Sequence, residues 1–127
     1  MSESITRTND LKILIQTKLK TVATNVFFEN ATDDALYPHI VFNFRTIDLG
    51  DLSRQDYILE VDVWDKGNST TKVDELSDKV EDLLHMQNLP QSHILPTFYK
   101  IDRKSIMDED KKIKHRLIRF QIQNYKI

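Results

Sequence analysis

From Asp56 to Leu84 the hydrophobic pattern changes period once. Tyr57, Leu59, Val61 and Val63 alternate with Ile58, Glu60, Asp62 and Trp64, the two-residue period of a strand with unlike faces. After Gly67-Asn68-Ser69, the positions Val73, Leu76, Val80, Leu83 and Leu84 recur at helical spacing with charges opposite. Ser69 is placed to cap that helix. One strand face and one helix stripe are apolar, so each can cover the other.

The same reading extends to both sides. Leu11, Leu14, Ile15, Leu19, Val22 and Val26 predict an amphipathic helix over about residues 9–25, capped by Thr8 or Asn9, with residues 1–7 frayed. Phe27 and Phe28 read as its extended exit. Residues 29–38 form a connection rich in Asn, Asp and Thr, and Pro38 biases Tyr37 towards an extended conformation that starts a strand. In that strand, His39–Ile47, Ile40, Phe42 and Phe44 face one way, and His39, Val41, Asn43 and Arg45 the other. The link over residues 48–55 is longer than a tight hairpin turn and predicts a projecting, mobile loop. Beyond Leu84, Pro90 and Pro96 interrupt the helix and set an irregular crossing. A third strand follows over about 97–104, then a charged turn over 107–114. The final strand, about 115–125, sets Ile118, Phe120 and Ile122 against Arg119, Gln121 and Gln123.

The order α-β-β-α-β-β predicts a single α+β domain over residues 1–127, with a four-stranded, mostly antiparallel sheet and two helices on one face. The other face carries Asn43, Arg45, Glu60, Asp62, Trp64, Arg119, Gln121 and Gln123. It is too polar for a second core layer, so it is solvated or meets another subunit.

Composition narrows the function. The 127 residues contain no cysteine, which excludes disulfides, thiolate nucleophiles and cysteine metal sites. Only Gly50 and Gly67 are glycines, so Gly-rich phosphate loops are absent. No apolar run approaches the roughly 20 residues of a membrane span, and the start lacks a signal-peptide core, which points to synthesis in the cytosol. A net charge of −2 gives no overall reason to bind nucleic acid. Glu60 and Asp62 stand roughly 7 Å apart on one strand face, a spacing that two-carboxylate hydrolases use. Without a desolvated pocket, however, they read as the wet face of a strand. His39, His85, His93 and His115 show no metal-binding spacing and read as isolated histidines. No cofactor is implied.

Charge is divided along the chain. Residues 48–82 hold 11 acidic and 4 basic side chains, net −7, whereas residues 98–126 hold 9 basic and 4 acidic, net +5. Two readings follow. Neighbouring elements complement each other within one chain, or a positive edge of one subunit meets a negative edge of the next in a head-to-tail ring.

The segments Tyr37-Pro38-His39-Ile40-Val41-Phe42 and Tyr57-Ile58-Leu59-Glu60-Val61-Asp62-Val63-Trp64-Asp65, the helix Val73-Asp74-Glu75-Leu76 to Leu84, and the hairpin Asp108-Glu109-Asp110 to Phe120 carry a resemblance. In order and spacing the chain resembles the small tail-terminator (tail completion, head–tail joining) proteins of long-tailed bacteriophages. Where that family commonly has an aromatic and a glycine around the hairpin, Met107 and Lys111-Lys112 stand here.

The resemblance implies a non-catalytic virion protein, assembled in the host cytoplasm as a homo-oligomeric, typically hexameric ring. Such a ring caps the tail tube, stops its polymerisation and offers a surface to the head connector. DNA passes through its lumen without specific binding. On this reading Arg45, Glu60, Asp62, Trp64, Asp108, Glu109, Asp110, Arg116 and Arg119 are the candidate contacts to neighbouring subunits or partners. The alternatives are another phage neck adaptor and a non-phage α+β binding domain. A hydrolase using Glu60 and Asp62 is the enzymatic alternative.

Overall fold

The computed structural model describes residues 3–47, 54–90 and 94–126. Its elements are α1 (Glu3–Leu19), β1 (Val26–Phe28), β2 (His39–Ile47), β3 (Arg54–Lys66), α2 (Thr71–Leu84), β4 (Ile94–Ile106) and β5 (Ile113–Lys126). The strands form one sheet in the order β1-β2-β3-β5-β4, with β1 parallel to β2 and every other pair antiparallel.

The sheet therefore has five strands where the hydrophobic pattern predicts four. The extra strand is the supposed exit from the first helix. Val26, Phe27 and Phe28 pair with Ile40, Val41 and Phe42. Val26 is buried as a strand residue rather than as the end of a helical stripe.

α1 is also displaced from its expected span. It begins at Glu3, well before Thr8 or Asn9, and ends at Leu19 instead of near residue 25. Both proposed caps sit exposed within the helix, where their weak propensity costs only about 0.5 kcal/mol each. The C-terminal end has a local cause. Thr21 N–H and Val22 N–H close tight three-residue turns onto Lys18 and Leu19, and Thr21 Oγ1 donates to the same Lys18 carbonyl. Branched side chains at Thr21, Val22 and Thr24 favour the extended chain that follows.

The central unit is as its pattern requires. Tyr57, Leu59, Val61 and Val63 are buried on the helix-covered face of β3, and Val73, Leu76, Val80 and Leu84 are buried along α2. Leu11, Leu14, Ile15 and Leu19 of α1 join the same core, together with Ile40, Phe42, Phe98, Ile118, Phe120 and Ile122. At the turn, Ser69 does not cap α2 as expected: the N-cap position is Thr70, which makes no side-chain cap hydrogen bond. Ser69 Oγ instead accepts the Thr71 N–H at 3.1 Å, which shapes the turn before the helix. Gly67, at φ +157°, donates its N–H to the Lys112 carbonyl, tying the end of β3 to the β4–β5 turn.

β4 is longer than expected and contains Pro96. The proline is tolerated because β4 lies at the sheet edge. The Pro96 carbonyl accepts Leu89 N–H on the side away from β5, so the missing amide falls on that side too. Residues 85–89 shield this half of the edge, with Met86 N–H donating to Phe98 O and Phe98 N–H to Gln87 O. The register of β4 against β5 slips between Lys100 and Asp102, a bulge that leaves Ile101 exposed. Of the loop expected over 48–55, residues 48–53 lie outside the described residues, and Arg54 and Gln55 already belong to β3.

Candidate functional site

The strand pairings set which side chains share the face that the helices leave open. Across β2, β3 and β5 the rungs are His39–Trp64–His115, Val41–Asp62–Leu117, Asn43–Glu60–Arg119 and Arg45–Ile58–Gln121. Arg45, Glu60, Asp62, Trp64 and Arg119 are therefore brought together on one surface, as the alternation predicts. Arg119 is held there by Asp102 of β4 in a two-pronged pair at 2.9 and 2.6 Å. That bond draws the Asp102 carboxyl below its ordinary range and raises the Arg119 guanidinium.

Arg116 is elsewhere. It pairs with Val63, so it points to the helix-covered face, where its Nε donates to Asp74 Oδ1 of α2 at 2.8 Å. Its guanidinium is thus engaged within the chain by a helix, whereas that of Arg119 is engaged by the neighbouring strand β4. The two are expected to behave differently on charge reversal. Arg116→Glu sets a carboxylate against Asp74 and is expected to lower folding stability by about 1 kcal/mol, read as a reduced melting temperature. Arg119→Glu is expected to leave the melting temperature within about 2 °C, because both members of its pair are well exposed.

The division of charge along the sequence is answered in part inside the chain. Asp74, Asp78 and Glu81 line one side of α2 at helical spacing and receive Arg103, Lys100 and Arg116 from β4 and β5. The acidic turn residues are also partly used. Asp108 Oδ1 accepts Asp110 N–H, and Asp110 Oδ1 accepts Lys112 N–H, each at 2.9 Å, while Glu109 is exposed. These bonds shape the hairpin tip.

At the end of the open face, sequence reasoning missed a cluster. His39 and His115 flank Trp64 on neighbouring strands, and the Trp64 and His115 rings stack at 3.6 Å with a 15° interplanar angle. His115 Nε2–H donates to Asp62 Oδ1 at 2.6 Å, and His39 Nδ1–H donates to the Leu36 carbonyl at 3.2 Å. Burial lowers the His39 pKa, and the nearby His115 lowers it further. Tyr37 lies 4.9 Å from the His39 ring. The segment over residues 29–37 arches beside these rings and encloses a cleft of about 560 Å³. Histidines far apart in sequence converge here because β2 and β5 both flank β3. His93 lies outside the described residues.

Glu60 and Asp62 do not form an acid–base pair, since His115 takes Asp62 and Glu60 lies in the rung with Arg119. No group of three or more metal-binding side chains converges among the described residues. The opposite end of the open face carries a buried charge. Asp56 is fully buried and accepts from Arg54 at 2.7 and 2.6 Å and from Gln121 Nε2 at 2.9 Å. Desolvation pushes its pKa up, but these hydrogen bonds outweigh it and hold the carboxyl below its ordinary value.

Residues 13–123, which take in the C-terminal part of α1 and almost the whole sheet, match the family described as Tail completion protein gp17. The chain belongs to this family. It is a structural protein of the bacteriophage tail, and its place is in the virion. Among solved structures, a chain of the "Virion of native gene transfer agent (GTA) particle" shares the fold of this tail completion protein, with a TM-score of 0.71. The likeness covers 87% of this chain and 91% of that one at 11% identity. No curated protein matches.

Proposed function

We propose that this tail completion protein acts as a tail terminator: copies close into a ring, typically a hexamer, that caps the tail tube and stops its polymerisation. The ring then receives the head connector, and DNA passes through its lumen. The observation that carries this reading is the family match over residues 13–123. The five-stranded sheet supports it, because it keeps one face free of helices and lined with Arg45, Glu60, Asp62, Trp64 and Arg119. Such a face suits contact with a neighbouring subunit or the lumen. The chain is not basic overall, so DNA in the lumen releases few counterions and slides without holding.

The test is the mass of the assembly together with its effect on tube growth. The expected result is a ring of discrete size that binds one end of the tube and limits tube length when added to polymerising tail-tube protein. A chain that stays monomeric, alone and in the presence of tail-tube protein, overturns the reading.

A further inference from the structure

We propose that the cleft beside Trp64 receives the Lys111-Lys112 tip of the β4–β5 hairpin from a neighbouring copy of this chain, an inference that rests on the ring reading above. The cleft combines carboxylates and aromatic faces. Glu29, Asp33 and Asp62 line it, with Tyr37 and Trp64 beside them. Asp62 gives one oxygen to His115, which leaves the other for a cation. Carboxylates grouped beside aromatic side chains make a receptor for an ammonium group, through charge-assisted hydrogen bonds and a partly apolar wall.

The hairpin tip has the matching chemistry. Lys111 and Lys112 are exposed, and their ammonium groups have no ion pair among the described residues. They contrast with Lys100 and Arg103, which α2 neutralises. Asp108 and Asp110 each give a carboxylate oxygen to a backbone amide, and with Glu109 exposed beside them the turn so shaped presents its two lysines next to that one outward acid. The bond from Gly67 N–H to the Lys112 carbonyl anchors that turn to its own β3. The tip does not line its own cleft.

Position decides the partner. The cleft runs from the 29–37 segment across β2 and β3 to His115 of β5, with Glu29 and Asp33 at its β2 side. The hairpin leaves the sheet on the β5–β4 side, while the rung Trp64–His115 and the pair Lys66–Ile113 put both at the same end. Repeating such a unit head to tail sets the tip of each copy beside the cleft of the next, the heterologous contact that closes rings.

The chain has one tryptophan and no cysteine, so both tests are clean. Lys111→Glu/Lys112→Glu is expected to raise the concentration for half-assembly by about tenfold or more, measured by native mass over a dilution series. Glu29→Lys/Asp33→Lys alone is expected to do the same, and the fourfold exchange to restore assembly. Melting curves of the monomers are expected to stay unchanged, since all four side chains are exposed. Trp64 emission is expected to shift on assembly of the wild type and to keep its dissociated spectrum in the lysine variant. Mixing Asp33→Cys chains with Lys112→Cys chains is expected to give a disulfide-linked pair that neither gives alone. Rings that form with an unchanged midpoint in the lysine variant, an unresponsive Trp64, or no cross-link between the mixed chains overturn the inference and leave the ring reading standing. A wild type that is monomeric with and without tail-tube protein overturns both.

Discussion

Val61→Asp is expected to leave no folded protein at 25 °C. Val61 is fully buried in the central strand, where its register partners are Phe42 on β2 and Ile118 on β5. A carboxylate there lies between Phe42 and Ile118, beside an Arg116 already paired with Asp74, and loses the valine's packing as well. Stranding a charge in such a site costs several kcal/mol, about 4 or more, against a total stability of about 5–15 kcal/mol for a domain. Circular dichroism during heating reads the effect. A soluble variant with an unshifted transition contradicts the assigned face of β3.

Arg54→Leu is expected to cost about 2–3 kcal/mol, the second-largest effect, because it leaves the buried Asp56 carboxylate with only the Gln121 amide among its side-chain partners. The sign of its pH dependence follows from the depressed Asp56 pKa. The stability that Arg54 supplies is fully present above the ordinary carboxylate pKa and is lost as the pH falls through the lower folded value. Denaturant titrations of wild type and variant should therefore differ most near neutrality and converge in acid. Arg54→Leu/Asp56→Asn is expected to recover a substantial part of the loss at pH 7, since no buried charge remains. Equal losses at neutral and acidic pH would show that Arg54 acts through packing on Tyr125 instead, whose ring it overlies at 5.7 Å. His39 acts in the same direction at higher pH. Its lowered pKa means that the unfolded chain takes up the proton first, so stability falls below about pH 6.5.

The legibility of this chain depended on where the periodicity was long. Over β3 and α2 the pattern ran for whole elements, and the faces it assigned were those that the core required. The open face was equally readable, because alternation places Glu60, Asp62 and Trp64 together whatever their neighbours are. The same alternation carried the signal for Arg116: it shares parity with Ile118 and Phe120, so it belongs to the helix side, away from Arg119. β1 was not legible. Three residues are too short for a period, and what makes them a strand is parallel pairing with β2.

By itself, the sequence determined the α+β class, the two helices, the buried and open faces of the central strand, and the absence of cysteine or glycine-loop chemistry. Each of these follows from local spacing or from composition. Only the tertiary structure decided the fifth strand, the capture of β4 and β5 cations by α2, and the gathering of Tyr37, His39, Asp62, Trp64 and His115 around one cleft. Those contacts join residues up to 78 positions apart. Sheet order, which brings β2 and β5 to either side of β3, is what makes them neighbours.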